Sequence, residues 1–325
     1  MLKQATDQAI REAAEIIKSG GLAAFPTETV YGLGANALAG TAVAKIFEAK
    51  DRPKFNPLIS HLTSLEEAEK YGAFNDRARK IARAFWPGPL TLIVPRKENC
   101  EISELASAGL ATIALRVPSH PVALKLIEYA GVPIVAPSAN KAGTLSPTTP
   151  AYVAQSFGPD LFVLAAGGTQ VGLESTVLDL TGEGPALLRH GAILKEDIEA
   201  VLECEVTIDT EAKDNKPKSP GQLLRHYAPS IPLRLKAVDV EQGEALLAFG
   251  SVKFMGVKGG GFAKDLPPHA YKNLSETGDL YEAAANLFSY LHALDNSKNK
   301  GIAVMDIPDQ GLGIAINDRL KRAAA

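Results

Sequence analysis

Two short segments near the start of the chain combine residue types suited to a phosphorylated ligand. The first, 26–34 (PTETVYGLG), follows the apolar run 22–25 and carries hydroxyl groups and glycines, which let a ligand approach the backbone closely. The second, 50–58 (KDRPKFNPL), brings Lys and Arg side chains together beside prolines. Lys offers phosphate oxygen atoms a point charge, and Arg offers them a planar fork. Either segment alone is typical of a turn with solvated charges, but together they predict a triphosphate site.

Three cationic side chains are the main candidates for phosphate contact. Lys50 and Arg52 are predicted phosphate ligands, with Asn56 on the nucleotide. The alternative is a pair of helix-end cations, which the helix dipole favours. Both side chains are expected to be exposed. Arg189 lies in an apolar strand, a poor place for a charge without an anionic partner. From the residues alone, a ligand phosphate and a structural ion pair are equally suitable partners.

Recognition of a carboxylate is a second chemistry that the sequence indicates. Arg116 lies in the candidate strand 111–117 and can pair with a carboxylate through two parallel hydrogen bonds. Hydroxyl residues elsewhere in the motifs are individually more typical of turns and caps. His61 is equally compatible with a ligand contact and with a buried core position.

Further motifs follow in a consistent order. They are 111–118 (ATIALRVP), 137–140 (PSAN), 146–148 (SPT), 174–177 (ESTV), 188–191 (LRHG) and 219–229 (SPGQLLRHYAP). With the first two segments they resemble the YrdC-like family over nearly the whole chain, and the last resembles the interdomain segment of its two-domain form. Members of that family are threonylcarbamoyl-AMP synthases, which make the activated intermediate for threonylcarbamoyladenosine in tRNA.

The resemblance implies a reaction of L-threonine, bicarbonate and ATP that releases pyrophosphate. Such a displacement at phosphorus depends on in-line positioning and on stabilisation of phosphate charge rather than on a catalytic triad. By resemblance, Lys50 and Arg52 are catalytic. The residues expected to bind ATP are Lys50, Arg52, Asn56, Thr112, Asn140, Thr148, Arg189 and His226. Those expected to bind threonine are Thr29, His61, Arg116, Ser138 and Ser175. Glu28 is the only acid in the first motif and receives no role.

The expected cofactor is Mg²⁺ carried by ATP, because no carboxylate cluster marks a metal cage in the sequence. The expected partner is a transferase that modifies tRNA and takes up the product. With a formal net charge of -3, the chain offers no general attraction for RNA, so weak or no direct tRNA binding is expected.

Composition favours a globular protein of the cytoplasm. A hydrophobic fraction of 46% with 22% charged residues is ordinary for such proteins. The polar stretch 1–20 does not resemble a signal peptide, and no apolar run approaches the roughly 20 residues of a membrane span. Cys100 and Cys204 are the only cysteines, are far apart, and predict neither a zinc site nor a disulfide framework.

Short apolar runs alternate with helical patterns in the first two thirds of the chain. The candidate strands are 22–25, 58–62, 90–94, 111–117, 132–136, 161–165, 176–180 and 186–188. The candidate helices are 5–19, 41–49, 64–71, 76–85, 121–129 and 149–157, with Thr41 and Ser64 as N-caps. This pattern predicts an α/β (α+β) domain with a mixed sheet. The resemblance implies a YrdC-like twisted sheet with flanking helices and a concave ligand face.

The pattern predicts three parts: a catalytic domain over 1–205, a linker over 206–230, and a small C-terminal α/β domain, Rossmann-like, over 231–325. Candidate strands near 233–235, 245–250 and 301–305 and helices near 279–294 and 312–322 make up the last part. The segment 219–229 is expected to act as a lid, in which Arg225 and His226 reach the triphosphate. The alternative is an ordered tether.

Two other classes of function compete with the synthase. One is an RNA-binding, translation-associated module, for which a basic helix face at Arg77, Arg79, Lys80 and Arg83 is the best candidate surface. Near-neutral charge and the lack of basic, aromatic strands count against it. The other is a nucleotide-responsive regulatory protein, which the C-terminal domain alone would suggest.

Overall fold

The structure, a computed structural model, describes residues 1–211, 217–222, 226–253 and 255–325. The chain forms two compact units: the first comprises 1–142, 147–170 and 174–223, and the second 143–146, 171–173 and 224–325. The predicted linker is therefore divided between the units, and Arg225 of the predicted lid lies outside the described residues. The domain boundaries given above stay a prediction.

Within the described residues of the first unit, eleven strands form one mixed sheet. The strands are β1 (Leu2–Gln4), β2 (Ala23–Phe25), β3 (Gly32–Asn36), β4 (Ile59–His61), β5 (Leu90–Pro95), β6 (Thr112–Arg116), β7 (Ile134–Val135), β8 (Phe162–Ala165), β9 (Thr176–Asp179), β10 (Ala186–Arg189) and β11 (Thr207–Ile208). Their spatial order is β1-β8-β2-β3-β7-β4-β6-β5-β9-β10-β11. Parallel pairs such as β4/β6 and β5/β9 alternate with antiparallel pairs such as β5/β6, and the predicted mixed α/β fold is confirmed.

Side-chain alternation gives this sheet two different faces. On β5, Leu90, Leu92 and Val94 enter the largest apolar core, which also contains residues of the flanking helices. Ile93 belongs instead to a small patch on the opposite face. The members of this patch are Ile59, Ile93, Ala114, Val177 and Leu188. By the same alternation, His61 on β4 and Arg116 on β6 lie on the face of the small patch.

The flanking helices of the first unit are α1 (Asp7–Lys18), α2 (Gly40–Lys50), α3 (Leu65–Ala68), α4 (Asp76–Phe85), α5 (Pro121–Ala130), α6 (Pro150–Phe157) and α7 (Lys195–Leu202). Ser64 caps α3 by accepting a hydrogen bond from the Glu67 amide at 3.2 Å, as predicted. The prediction of Thr41 as an N-cap was wrong, because α2 begins at Gly40 after Ala39. No helix in the described residues has the length and apolarity needed to cross a membrane.

Close packing accounts for a glycine in the first motif. Gly34 lies on β3, between β2 and β7 in the sheet. A Cβ atom at Gly34 would lie 2.8 Å from Phe25 Cε1 and 2.9 Å from Ile134 Cγ2. The absence of a side chain at this position therefore serves the packing of neighbouring strands, whereas the sequence suggested that it served ligand approach.

The second unit is built on a four-stranded parallel sheet in its described residues. The strands of the whole unit are β12 (Leu233–Arg234), β13 (Asp239–Val240), β14 (Glu244–Ala248), β15 (Gly256–Val257), β16 (Tyr271–Asn273) and β17 (Gly301–Val304). Its α-helices are α8 (Leu280–Leu294) and α9 (Leu312–Ala323). The sheet order is β12-β17-β14-β16, while β13 and β15 pair separately. The predicted small α/β domain is confirmed, and β13, β15 and β16 are strands that the sequence did not indicate.

Candidate active site

The first motif forms a tight, buried turn between β2 and β3. Thr27 Oγ1 donates to the Val30 carbonyl at 2.7 Å, lies 2.7 Å from Thr29 Oγ1, and accepts from the Thr29 amide at 3.2 Å. Hydroxyl bonds of this kind are typical of turns that a Thr side chain stabilises. The turn holds the next two side chains, Glu28 and Thr29, in buried positions.

A buried ion pair joins this turn to β6. Arg116 Nη2 donates to Glu28 Oε1 at 2.6 Å and to Thr29 Oγ1 at 3.1 Å, and Arg116 Nε donates to the Gly88 carbonyl at 3.3 Å. The other carboxylate oxygen of Glu28 accepts from the Ser119 amide at 3.1 Å. Burial opposes ionisation of Glu28, but the charge and hydrogen bond of Arg116 prevail and hold its pKa below the ordinary value. The charge of Arg116 is therefore already paired within the protein.

His61 lies beside this pair as a neutral, buried imidazole. Its backbone is in register with Arg116 across β4 and β6, and its ring meets Phe25 edge to face at a centroid distance of 6.2 Å. Within the described part of the chain, His61 Nδ1 has no hydrogen-bond partner. Burial, followed by the nearby Arg116 charge, lowers the pKa of His61 to about 3. An unpaired nitrogen at this depth is a candidate ligand contact.

Burial of His61 predicts a pH dependence of stability. Because the pKa is about 3 in the folded chain and about 6.5 when unfolded, the unfolded chain binds more protons between these values. The free energy of unfolding should thus fall as the pH falls from about 6.5, and His61 should contribute up to about 1.4 kcal/mol per pH unit. Urea titrations between about pH 5 and 6.5 should show a shallower dependence for His61→Asn.

The exposed His269 offers a control for that measurement. His269→Asn makes the same substitution at the surface, and comparison with it isolates the effect of removing the buried imidazole of His61. Equal pH dependence in wild type and His61→Asn would contradict the assignment of a neutral buried ring.

Lys50, the last residue of α2, is buried rather than exposed as predicted. Its Nζ donates to the carbonyl of Ser138 at 2.6 Å and also to that of Asn140. Asp51 follows in the left-handed conformation at φ 53°, which ends the helix. Burial, then the neighbouring charges of Arg52 and Lys141, hold the pKa of Lys50 well below its ordinary value. An anionic ligand would favour its charged form.

The exposure predicted for Arg52 was also wrong, since this side chain is only 8% exposed. The loop after α2 wraps around it: Nε donates to the Asn56 carbonyl at 3.2 Å and Nη2 to the Pro57 carbonyl at 3.0 Å. Asn56 Oδ1 has no partner among the residues that the structure describes, although it is buried. These contacts fix the guanidinium group and leave a buried amide oxygen beside it.

Arg189 forms a third cluster with Ser175, the residue before β9. Arg189 donates to the Ser175 carbonyl and hydroxyl, both at 3.0 Å, and to the Pro220 carbonyl at 3.1 Å. Thr91 Oγ1 lies 2.8 Å from Ser175 Oγ on the side of β5. These contacts hold the Arg189 side chain against the start of β9 and the backbone at Pro220.

The remaining predicted site residues make fewer contacts with the other candidate residues. Thr112 begins β6, on the same face as Arg116 by alternation, and is half-buried. Thr148 is buried, and its Oγ1 lacks a hydrogen-bond partner within the described ranges. Asn140 Nδ2 donates to the Lys141 carbonyl at 3.0 Å. His226 belongs to the second unit, where its ring lies 3.9 Å from that of Tyr227.

The structure thus brings predicted residues together in four direct groups, one of which is Arg52 with Asn56. The other three are Thr29 with His61 and Arg116, Lys50 with Ser138 and Asn140, and Ser175 with Arg189. No group of three His, Cys, Asp or Glu side chains in the described residues has the arrangement of a metal site. The donors are cations, amides and hydroxyls, a set that fits a magnesium-bound triphosphate better than a bare cation.

Residues 15–191 match the family model Sua5_yciO_yrdC, described as "Telomere recombination", which covers more than half of the chain. The chain belongs to this family. Residues 193–325 match a second model, the "Threonylcarbamoyl-AMP synthase, C-terminal domain", as expected for the two-domain form of the Sua5/YciO/YrdC family.

Relatives from this family align over nearly the whole chain. A threonylcarbamoyl-AMP synthase of Bacillus subtilis is 40% identical over 98% of this chain and 93% of its own length. A threonylcarbamoyl-AMP synthase of Pyrococcus abyssi is 41% identical over 97% of this chain and 94% of its own length. The crystal structure of P. abyssi Sua5 complexed with L-threonine has a TM-score of 0.87 and 37% identity, covering 100% of this chain and 96% of that one.

Two buried residues of this family member received no role from sequence reasoning. Glu28 lies inside the first Sua5/YciO/YrdC motif but had no visible partner, because Arg116 is 88 positions away in the sequence. Thr91 resembles an ordinary strand residue, and only its contact with Ser175 connects it to the site. Alternation along β5 places Thr91 on the face opposite to Leu90 and Leu92, which is the signal that could have found it.

Proposed function

We propose that the chain is a threonylcarbamoyl-AMP synthase, which forms threonylcarbamoyl-AMP and pyrophosphate from L-threonine, bicarbonate and ATP. The observation that carries this proposal is the alignment of both units with relatives of that name, including a structure that holds L-threonine. The product would serve threonylcarbamoyladenosine formation in tRNA, after transfer to a tRNA-modifying enzyme. The predicted cytoplasmic location stays a prediction.

The proposed reaction has two bond-forming steps. The threonine amine first adds to the carbon of bicarbonate, and loss of water leaves a carbamate. A carbamate oxygen then attacks the α-phosphorus of ATP while the bond to pyrophosphate breaks. The protein contributes mainly by positioning the carbamate in line with the leaving group and by stabilising charge on phosphate oxygen atoms.

We assign threonine to the group around Arg116, with Thr29, His61, Ser138 and Ser175. Hydrogen bonds of Arg116 to the described residues use Nε and Nη2, which reserves Nη1 for a ligand carboxylate. The neutral His61 ring, whose Nδ1 is unpaired in the described chain, suits a hydroxyl or carboxylate contact. Buried polar groups of this kind discriminate strongly against ligands that cannot pair with them.

We assign the triphosphate to the cationic groups. Lys50, Arg52 and Arg189 would neutralise phosphate oxygen atoms, and Mg²⁺ would arrive as part of the Mg–ATP substrate. Uncharged contacts to the nucleotide are assigned to Asn56, Thr112, Asn140 and Thr148. His226 is assigned to ATP as well, on its place in the motif 219–229.

The activity is testable with the purified chain. Pyrophosphate release from Mg–ATP should require both L-threonine and bicarbonate, because the carbamate is the nucleophile. Chromatography and mass spectrometry should identify threonylcarbamoyl-AMP as the second product. Equal pyrophosphate release after rigorous removal of carbon dioxide would exclude this function and would leave a threonine-dependent or simple ATPase.

A further inference from the structure

Glu28 has two buried contacts that act on different parts of the site. Its Oε1 lies 2.6 Å from Arg116 Nη2, and its Oε2 accepts from the Ser119 amide at 3.1 Å. Glu28 is 4% exposed and Arg116 is 3% exposed, so solvent does little to screen the pair. Such a carboxylate both neutralises the guanidinium group and determines where it points.

The hydrogen bonds of Arg116 within the described chain determine which of its nitrogen atoms can donate to a ligand. Nη2 donates its two hydrogens to Glu28 and Thr29, and Nε donates to the Gly88 carbonyl. Within the described chain, only Nη1 is then left to donate to a bound molecule. The direction of Nη1 depends on the plane of the guanidinium group, and Glu28 makes the shortest bond that sets this plane.

We propose that Glu28 is a positioning residue for substrate, which orients Arg116 so that Nη1 meets the carboxylate of threonine. This inference rests on the proposed function, since it takes threonine as the ligand of Arg116. Glu28 does not contact the reacting atoms in this assignment. It acts through Arg116, and its loss should therefore affect threonine far more than ATP.

Two effects of removing the Glu28 charge oppose each other. The uncompensated Arg116 would attract a ligand carboxylate more strongly, whereas the guanidinium group would lose its orientation. A glutamine at position 28 can offer its carbonyl oxygen to only one of the two donors, Arg116 Nη2 or the Ser119 amide. Its own NH₂ group then faces the other donor, and an unsatisfied buried donor is costly enough to displace the guanidinium plane. Orientation therefore dominates, and the variant should bind threonine more weakly.

The test is a double-mutant cycle read by calorimetry of L-threonine binding and of ATP binding. Glu28→Gln should weaken threonine binding about tenfold and leave ATP binding within about twofold, which corresponds to the loss of one charged hydrogen bond. In the Arg116→Lys background, the same change should have little further effect on threonine, because the group through which Glu28 acts is gone. Glu28→Asp keeps the charge but is too short for both contacts, so it should give an intermediate loss.

The Arg234–Glu244 pair of the second unit provides a matched control. Arg234 Nη2 lies 2.5 Å from Glu244 Oε2, so Glu244→Gln also removes the carboxylate charge of an arginine pair. Threonine affinity should be unchanged in that variant. Stronger threonine binding by Glu28→Gln, equal losses for both ligands, or full additivity with Arg116→Lys would each overturn the inference.

Failure of the proposed function would give a different result. If the wild-type chain binds no threonine, the assignment of the substrate fails together with the inference that depends on it. If wild type binds threonine and Glu28→Gln and Glu28→Asp both bind it equally well, only the positioning role is wrong. Should Glu28→Gln be too unstable to measure, Glu28→Asp alone decides, because it keeps a carboxylate charge at this buried position.

Discussion

Replacing Lys50 by methionine is expected to lower the rate of adenylate formation about 100-fold, the scale that follows loss of one preorganised charge from a transition state. Lys50 Nζ uses two hydrogens on the carbonyls of Ser138 and Asn140, which leaves the third for a phosphate oxygen. Burial holds the pKa of Lys50 well below its ordinary value, and a triphosphate bound within a few ångströms would favour the charged form. Steady-state kinetics with saturating threonine would measure the loss.

Methionine is preferred to alanine because Lys50 is 1% exposed and its aliphatic chain fills buried space. Lys45 on the same helix is exposed, and Lys45→Met is the matched control, with near wild-type rate expected. Circular dichroism and urea unfolding should separate loss of chemistry from loss of fold. Full activity of Lys50→Met, in a folded sample, would place the phosphate site elsewhere.

Replacing Arg116 by lysine is expected to raise the threonine requirement between about tenfold and 100-fold, with a much smaller change for ATP. A lysine keeps the charge, but its three hydrogens cannot serve Glu28, Thr29, the Gly88 carbonyl and a ligand together. The KM of each substrate, measured at saturation of the other, tests this prediction.

Arg77 supplies a control for the change from arginine to lysine, since it is an exposed residue that donates to the Glu183 carbonyl at 2.6 Å. Arg77→Lys should leave both KM values unchanged. A rise confined to the KM of ATP in Arg116→Lys would mean that Arg116 belongs to the nucleotide site. A wild-type KM for threonine would remove Arg116 from the site altogether.

Strand positions were predictable where alternation and β-branched residues agree. The candidate strand 90–94 corresponds to β5 at Leu90–Pro95, and 111–117 corresponds to β6 at Thr112–Arg116. β3 was missed because Gly32 and Gly34 indicate a turn in sequence, whereas the space for their side chains is taken by neighbouring strands. Local propensity cannot report a contact of that kind.

Motif spacing located the candidate site but did not predict its interior. Lys50 and Arg52 looked exposed because a helix end followed by prolines is usually solvated. Lys50 is buried by backbone carbonyls 88 and 90 positions away, which no local pattern reveals. The partner of Glu28 is equally remote, so its charge looked unassigned until β6 and the first motif were placed side by side.

The discontinuous second unit has a consequence for the order in which the chain is made. Its pieces 143–146 and 171–173 leave the ribosome well before 224–325, to which they belong. The Ala228 amide later bonds the Gly143 carbonyl at 2.8 Å, and a Cβ atom on Gly172 would lie 2.4 Å from the Ala284 carbonyl oxygen. In a nascent chain, 143–146 and 171–173 therefore lack their packing partners until 224–325 has been made. Cutting the chain at one position cannot give both units intact, and a shortened enzyme would need redesigned sequences at 143–146 and 171–173.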